Sequence, residues 1–405
     1  QYQTERDPKE LLLQKKRCAV HFAVDDQQVW MCTALAGKDS WFLPFNRGVN
    51  GGAGNPVVEK DTMTSYLWKD VFTKATLSNI IENFAQVIVS KEKDKASKQM
   101  KTKEVVIWPR YHQLDVVRSL VAHTKTHAIG RRYLIQHSAG SGKSNSITWL
   151  AYQLVTLLQK QEPFFDSVIV VTDRVNLDKQ MRDNINAFQR LSNVVGWADK
   201  SDTLRQLLQG GKKIIVSTIN KFSFILDEIG CSLRDKRFAI IIDEAHNLRN
   251  VFHGTKRAKR LYELSKGIPK ILLTATPLQN SLSDLHGLIS FIDPRIFGSE
   301  KVFNKRFIEG QDYTELKREL IPVLYRTLRR DVGKYMDFKK RECRTIDFVL
   351  SPDEVELYMR VNNFLKKDVL YSIPNANKGL IVLVIRKLLA SSSYALIETF
   401  EVLKN

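Results

Sequence analysis

The stretch “YLIQHSAGSGKSNSITWL”, residues 133–150, decides the fold class, because it joins an apolar run, a turn rich in glycine and serine, and a helical pattern. Further apolar runs occur downstream in “SVIVVTD” (167–173), “KIIVST” (213–218), “FAIIIDE” (238–244) and “KILLTAT” (270–276). These runs are continuous rather than alternating, which is typical of strands buried on both faces. Because helical segments separate them, the sequence predicts an α/β fold with a doubly wound parallel sheet.

The charge of the chain indicates a polyanionic partner. The 405 residues carry a formal net charge of +19, and the sequence pI is about 9.6. Such an excess of positive charge favours binding to nucleic acid. The alternative, that the charge serves only solubility, remains open at this point.

The same composition disfavours several other classes of protein. No apolar run approaches the roughly 18 residues of a membrane span, and the N-terminus does not resemble a secretory signal. The cysteines lie far apart and form no C-x-x-C pair, which argues against a metal knuckle or a disulfide framework. Free cysteines of this kind are typical of the reducing cytoplasm, so we expect a cytoplasmic protein.

The turn after the first apolar run has the pattern of a phosphate-binding P-loop. Its usual form is G-x-x-x-x-G-K-[ST], and Gly142, Lys143 and Ser144 supply the end of it, whereas His137 stands at the first glycine position. Lys143 would contact the β- and γ-phosphates, and Ser144 would bind Mg²⁺. The alternative is a serine-glycine turn without a ligand. The candidate ATP-binding residues of this turn are Ala139, Gly140, Ser141, Gly142, Lys143 and Ser144.

An acidic pair ends a later strand. In “AIIIDEAH”, Asp243 and Glu244 follow a buried apolar run, and ligands of open parallel sheets bind beyond the carboxyl ends of strands. Asp243 would bind Mg²⁺ together with Ser144, and Glu244 would orient and deprotonate the attacking water. Two acidic residues that simply begin a helix are the alternative. The predicted catalytic residues are Glu244, Asp243 and Lys143.

A third motif, “LLTATPLQN”, follows another buried strand. Thr274 and Thr276 lie where hydroxyl groups would reach the acidic pair and couple it to bound nucleotide, with Ala275 between them. A turn at the end of a strand is the alternative interpretation.

In their order and spacing, “SAGSGKS”, “DEAH” and “TATP” resemble motifs I, II and III of superfamily-two helicases and translocases. The resemblance implies a RecA-like first lobe, ATP and Mg²⁺ as cofactors, and a coupling role for His246. “PRYHQLDVVR” (109–118) resembles the adenine-recognising element, with Gln113 as its reader. “VVTDRVNLDKQ” (170–180) and “VSTINKF” (216–222) resemble motifs on the DNA side. The DNA-binding residues implied are Thr172, Asp173, Arg174, Ser217, Thr218 and Lys221.

The sequence resembles two families within that superfamily. Residues 1–246, with “FLPFNRGVNGGAGNP” and “TINKFSFILDEIG”, resemble the motor subunit of type I restriction enzymes. Residues 247–405, with “TATPLQNSLSDLHGLISFIDPRIFGSEKVFNKRF”, “LRRDVGKYM” and “LSPDEVELYM”, resemble Swi/Snf-type translocases. Both resemblances imply a DNA-dependent ATPase that tracks along double-stranded DNA. The first implies methyltransferase and specificity subunits as partners. The alternatives are a Swi/Snf-like remodelling or repair ATPase, and an ATP-switched DNA-binding module without efficient turnover.

The predicted domain organisation follows the same resemblance. We expect residues 1–90 to be the remainder of an α/β nuclease-type domain without cleavage activity, with two strands around the turn “DDQ” and a glycine-rich loop near residues 46–55. Residues 91–107 are predicted to be a linker, residues 108–290 the RecA-like lobe, and residues 291–405 a mainly helical extension towards a second lobe. “SPDE” at 351–354 predicts a capped helix start. Because residue 1 is not Met, we expect part of a longer protein. Without the arginine fingers of a second lobe, we expect slow hydrolysis by this chain alone.

Overall fold

The computed structural model describes residues 2–14, 17–49, 52–93, 100–127, 133–137, 140–172, 185, 194–198, 200–219, 221, 236–249, 251–252, 256–279, 281–327, 351–367, 378–391, 396 and 399–401. The chain divides into two compact units, residues 1–338 and residues 339–405.

The first unit begins with a small antiparallel sheet. Its strands are β1 (His21–Val24), β2 (Val29–Cys32) and β3 (Leu43–Pro44), in that order. The antiparallel pairing of β1 with β2 confirms the two strands predicted around “DDQ”. A π-helical turn (Leu67–Val71) and helix α1 (Lys74–Asn83) follow.

The glycine-rich loop between β3 and the π-helical turn folds back closely on itself. The Gly48 amide donates to the Gly54 carbonyl at 2.8 Å, and a Cβ atom on Gly48 would lie 2.7 Å from the Gly52 carbonyl oxygen. The buried Asn55 amide donates to the Gln27 carbonyl at 2.9 Å, which ties the loop to the turn between β1 and β2. Glycine is therefore required at position 48 by close backbone approach.

The segment predicted to be a linker has a different structure. Strands β4 (Gln86–Lys93) and β5 (Met100–Ile107) pair in antiparallel register from Gln86 and Ile107 to Lys93 and Met100. The charged composition of residues 90–104 predicted solvated chain, but backbone pairing between two strands requires no apolar side chains. Residues 91–93 and 100–107 therefore lie in two paired strands.

The strands of the central region are, in chain order, β6 (Tyr133–His137), β7 (Leu158–Gln159), β8 (Glu162–Pro163), β9 (Ser167–Thr172), β10 (Val195–Trp197), β11 (Ile214–Thr218), β12 (Phe238–Ile242), β13 (Lys270–Thr274) and β14 (Leu324–Thr327). Strands β7 and β8 form a small antiparallel pair. The others form one seven-stranded sheet in the order β10-β11-β9-β12-β13-β6-β14. Every neighbouring pair in this sheet is parallel, as the continuous apolar runs predicted.

Helices cover both faces of the sheet. They are α2 (Tyr111–His127), α3 (Lys143–Val155), α4 (Ser201–Gln209), α5 (Lys256–Leu264), α6 (Leu282–Ile292), α7 (Glu300–Phe303) and α8 (Tyr313–Leu320). Alternate strand residues divide between two cores: Ile241 packs with apolar residues of α2, α3 and the N-terminal segment, whereas Ile240 and Ile242 pack with those of α4, α6 and α8. The sheet is therefore doubly wound, as predicted.

The sheet extends beyond the boundary predicted for the lobe. Residues 108–290 were predicted to be the lobe, and β14, which follows them, pairs with β6 in parallel register, Leu324 opposite Leu134 and Thr327 opposite His137. A π-helical turn (Asn304–Glu309) and helices α7 and α8 lead to this edge strand, in agreement with the helical character predicted after residue 290.

The second unit contains two described helices, α9 (Pro352–Leu365) and α10 (Lys378–Ser391). Helix α9 begins with the predicted capping box: the Ser351 hydroxyl accepts from the Glu354 amide, and the Glu354 carboxylate accepts from the Ser351 amide at 2.9 Å. Val361, Leu365 and Ile385 form part of its core. The run “TIDFVL” (345–350), whose composition predicts a strand, lies outside the described residues.

Within the described part of the chain, no helix has both the length and the apolar character required to cross a membrane.

Candidate nucleotide-binding site

The predicted phosphate-binding turn lies between β6 and α3. Gly140 and Gly142 have φ angles of 77° and 82°, in the left-handed region that side chains rarely adopt. A Cβ atom on Gly140 would meet no described heavy atom within 4 Å, so the turn opens onto free space there. Gly142 is the N-cap of the 13-residue helix α3, whose positive dipole end lies beside this space. Ala139, also predicted to bind ATP, lies outside the described residues.

His137, at the first glycine position of the motif, is compatible with the turn because its side chain points into the interior. It is 1% exposed, and its ring packs edge-on against His112 with centroids 5.2 Å apart. His112 Nε2 lies 3.2 Å from the Ser141 carbonyl oxygen. Burial, followed by the charge of Arg110, lowers the pKa of His112 to about 4. Burial also holds the pKa of His137 well below its usual range, with smaller contributions from His112 and Lys143.

Gln113 binds the turn itself. Its side chain is buried, and its Oε1 accepts from the Arg110 amide at 2.9 Å. Its Nε2 donates to the carbonyl oxygens of Ser141 at 3.2 Å and Gly142 at 2.9 Å. A Cβ atom on Gly142 would lie 2.5 Å from this nitrogen, so the amide occupies the space that glycine leaves. Gln113 therefore positions the turn, and its predicted contact with adenine stays a prediction.

The acidic pair meets the P-loop lysine at the carboxyl edge of the sheet. Asp243 directly follows β12, is buried, and its amide donates to the Val171 carbonyl at 2.9 Å. The Glu244 amide donates to Asp243 Oδ1 at 2.9 Å. Glu244 has a φ of 48°, and its Oε1 lies 3.0 Å from Lys143 Nζ. Both of these side chains are partly buried, at 22% and 12% exposure. The sheet order brings them together, because only β13 separates β6 from β12.

The residues predicted to couple the site form a chain of polar contacts. The second carboxylate oxygen of Glu244 lies 3.3 Å from His246 Nδ1, and Thr274 Oγ1 lies 3.3 Å from the same nitrogen. Thr274 Oγ1 also accepts from the Thr276 amide at 3.2 Å. The hydroxyl of Thr276 accepts from Gln279 Nε2 at 2.9 Å. The motif after β13 is therefore connected to the acidic pair.

Sequence reasoning missed the residues that continue this chain. The Gln279 amide donates to Asp284 Oδ2 at 3.2 Å, and Asp284 Oδ1 lies 3.7 Å from Arg249 Nε. Asp284 lies in the first turn of α6, and Arg249 follows the 3₁₀ turn that begins just after Glu244. Ala275 is half-buried in the intervening turn. Gln279 directly follows “TATPL”, and this position next to the motif is the sequence signal that could have indicated its role.

The donors at this edge fit a magnesium triphosphate. Mg²⁺ prefers hard oxygen ligands and retains several waters, and the predicted ligands are the Ser144 hydroxyl and the Asp243 carboxylate. Among the described residues no group of three or more His, Cys, Asp or Glu side chains is arranged to hold a metal ion. Phosphate oxygens would therefore have to complete the coordination, as is usual where Mg²⁺ binds with a nucleotide.

Three of the six residues predicted to contact DNA are buried inside the protein. Thr172 and Thr218 end the adjacent strands β9 and β11, pair directly in register, and are buried together with Ser217. Lys221 Nζ donates to the Ala198 carbonyl at 3.2 Å. Asp173 and Arg174 lie outside the described residues. The role of all six residues in DNA binding stays a prediction.

Comparison with known proteins gives matches to ATPases and to an ATP-dependent helicase. Residues 112–291 match the family model of the SWI2/SNF2 ATPases. The “Uncharacterized ATP-dependent helicase YqhH” of Bacillus subtilis is 34% identical over 130 residues, 30% of this chain and 22% of that protein. The “Probable chromatin-remodeling complex ATPase chain” of rice, Oryza sativa subsp. japonica, is 33% identical over 148 residues, 35% of this chain and 13% of that protein. The “ISWI chromatin-remodeling complex ATPase ISW2” of Saccharomyces cerevisiae is 27% identical over 214 residues, covering 50% and 18% of the two chains.

A solved structure is also similar. The Sulfolobus solfataricus SWI2/SNF2 ATPase core in complex with dsDNA aligns with a TM-score of 0.44 and 20% identity, over 71% of this chain and 59% of that one. The matches in sequence span less than a quarter of the length of the first two relatives.

The family match changes the position at which the similarity to Swi/Snf-type ATPases begins. Similarity to Swi/Snf-type ATPases was assigned only to residues 247–405, but the family match begins at residue 112 and includes the P-loop and the acidic pair. Residues 112–291 are therefore similar to SWI2/SNF2 ATPases, within helicase superfamily two. The resemblance of residues 1–246 to a restriction motor stays a prediction.

Proposed function

We propose that this chain is an ATP-dependent motor that moves along double-stranded DNA. The observation that carries the proposal is the contact between Lys143 Nζ and Glu244 Oε1 at 3.0 Å, beside the buried Asp243 and the open glycine turn. The similarity of residues 112–291 to SWI2/SNF2 ATPases and the net charge of +19 support the choice of ATP and DNA as ligands.

Each side chain at the site has a role in hydrolysis. The triphosphate competes with Glu244 for Lys143, because a polyanion attracts an ammonium group more strongly than a single carboxylate does. Glu244 is then held by His246 and is available to orient and deprotonate the attacking water. Bound magnesium would supply charge stabilisation at the phosphates, and Ser144 and Asp243 would be its protein ligands.

The chain of polar contacts from Glu244 through His246, Thr274, Thr276 and Gln279 leads to Asp284 on α6. We assign to it the coupling of the nucleotide site to the rest of the lobe. The predicted DNA residues Thr172, Ser217 and Thr218 would have to become exposed to contact phosphates, because their side chains are buried at the ends of β9 and β11.

The test is the ATPase rate with and without linear duplex DNA. We expect a rate that rises with duplex DNA and that falls about 10²- to 10⁴-fold in Glu244→Gln, the contribution typical of a positioned general base. Lys143→Ala is expected to lose ATP binding as well. Glu263→Gln is the matched control, because Glu263 lies on α5 in an exposed ion pair with Lys266.

Two other outcomes separate the competing functions. DNA binding that responds to ATP without turnover would support the ATP-switched binding module. Absence of duplex binding at low salt would contradict the motor and the switch alike.

A second part of the proposal concerns the complex in which this motor works. The resemblance of residues 1–246 supports a type I restriction enzyme with methyltransferase and specificity subunits in the cytoplasm. The names of the curated relatives support a remodelling ATPase. Co-elution of the chain with a methyltransferase–specificity complex, against co-elution with DNA-bound proteins, distinguishes the two settings.

A further inference from the structure

Three buried aromatic side chains join the N-terminal segment (residues 17–84) to the start of α2. The Tyr111 ring contacts Phe45 and Tyr66 edge to face, with centroids 5.6 Å and 5.1 Å apart. Tyr66 OH donates to the Phe45 carbonyl at 2.5 Å, and the Phe45 amide donates to the Val29 carbonyl at 2.8 Å. We call Phe45, Tyr66 and Tyr111 the aromatic junction. It is fixed on one side by the small N-terminal sheet.

On its other side the aromatic junction leads to the phosphate-binding turn. Tyr111 is the first residue of α2, and Gln113 lies two residues further along the same helix. Gln113 holds the carbonyl oxygens of Ser141 and Gly142. Because a Cβ atom on Gly142 would lie only 2.5 Å from Gln113 Nε2, a small displacement of α2 would change the fit of this amide to the turn.

Two further contacts connect the N-terminal segment to the helices on either side of the turn. Arg118 of α2 lies 3.3 Å from the Asp70 carboxylate and donates to the Thr76 hydroxyl at 3.2 Å. Phe84 packs against Trp149 of α3 with centroids 5.4 Å apart, and both side chains are buried. The N-terminal segment therefore contacts both helices that border the P-loop.

We propose that the N-terminal segment is a positioning element of the nucleotide site, acting through the aromatic junction and Gln113 on the backbone of the P-loop. This inference rests on the proposed binding of ATP. It gives residues 17–84 a role in ATP affinity that does not depend on nuclease chemistry. Tyr66 and Phe45 are positioning residues, since they act through Tyr111 and Gln113.

The experiment compares two substitutions of Tyr66 in the full chain. Tyr66→Leu removes the ring contact with Tyr111, and we expect it to raise the Kd for mant-ATP with Mg²⁺ and the KM for ATP by about three- to tenfold, the range of one aromatic pair contact. The kcat at saturating ATP is expected to change less than twofold. Tyr66→Phe keeps the ring and is expected to retain the wild-type Kd.

The matched control is Phe297→Leu. Phe297 is equally buried, but it packs with Phe303 and Phe307 in the core on the opposite face of the sheet. This substitution is expected to lower the melting temperature and leave the Kd for mant-ATP unchanged. If Tyr66→Leu and Phe297→Leu give the same Kd, the N-terminal segment has only a structural role and the inference is wrong.

A double-mutant cycle tests the path through Gln113. In a Gln113→Ala background we expect Tyr66→Leu to add no further increase in Kd, because the group through which it acts is absent. A full additive increase would overturn the path. Failure of the wild-type chain to bind mant-ATP would overturn the proposed function together with this inference, whereas equal Kd values for the two leucine variants would overturn the inference alone.

Discussion

Gly140 and Gly142 differ at the residue scale although both have a positive φ angle. A side chain at either position would be strained by about 1 kcal/mol or more, since the left-handed region disfavours a Cβ atom. At Gly140 the added methyl group would meet open space, whereas at Gly142 it would lie 2.5 Å from Gln113 Nε2. The second glycine is therefore required both by backbone conformation and by the buried amide next to it.

We accordingly predict that Gly142→Ala lowers the free energy of unfolding by about 1–3 kcal/mol more than Gly140→Ala, because it displaces a buried, hydrogen-bonded amide. Chemical denaturation of the protein without nucleotide measures this difference. Gly140→Ala is the control, since it carries the same backbone strain without the contact. Equal losses in the two variants would show that Gln113 moves aside at no cost.

At the scale of elements, α2 and β6 meet through two histidines that must remain neutral. His112 and His137 pack ring to ring beneath the P-loop. Burial is the main cause that lowers the pKa of both rings, and the nearby cations Arg110 and Lys143 lower it further. The pKa of His112 is about 4 in the folded chain, below the usual histidine value of about 6.5. Between these values the unfolded chain binds more protons than the folded chain, so stability falls as the pH decreases through this range.

The expected result is a loss of unfolding free energy on the order of 3 kcal/mol from His112 between pH 7 and pH 4, and none above pH 7. Thermal or chemical unfolding of wild type and of His112→Gln is measured at several pH values in this range. The contribution of His112 is the difference between the two curves of unfolding free energy against pH. His127→Gln at the exposed end of α2 is the control and is expected to keep the wild-type dependence. Parallel curves for wild type and His112→Gln would contradict a neutral, buried His112.

The strands that the sequence predicted are those whose apolar composition reflects burial on both faces. Strands β9 and β12 have apolar residues at nearly every position because both of their faces are covered. Strand β14, “LYRT”, lies at the sheet edge with Tyr325 half-buried and Arg326 exposed, so its composition does not distinguish it from a loop. The hairpin of β4 and β5 forms by backbone pairing in a charged segment, which the same criterion cannot detect.

The site was predictable to the extent that it depends on strand ends. Parallel strands bring their carboxyl ends to one edge, which is why Lys143 and the acidic pair were expected to meet. The hydrogen bonds from Gln113 to the carbonyl oxygens of the P-loop depend on how α2 packs. No local sequence pattern predicts them. The burial of Thr172 and Thr218 likewise depends on neighbouring strands rather than on their own motif.

At the scale of the whole molecule, the similarity to known ATPases covers only part of the chain, whereas the excess of positive charge is a property of the whole chain. The match to SWI2/SNF2 ATPases covers residues 112–291, whereas the net charge of +19 belongs to the chain as a whole. An affinity for DNA that arises from this charge does not require base contacts. It is therefore expected to be strong at low salt and nearly independent of sequence.

We predict that the association constant for a linear duplex falls at least about tenfold between 50 and 200 mM salt, the change expected for as few as about two phosphate contacts. Fluorescence anisotropy with a labelled duplex measures it, and a duplex of the same length and scrambled sequence is expected to give the same constant within about threefold, because phosphate contacts carry no sequence information. Lys143→Ala is expected to leave the salt dependence unchanged without nucleotide, since Lys143 is engaged by Glu244 at the nucleotide site. An association constant that is independent of salt would mean that the positive charge of this chain serves solubility and not DNA binding.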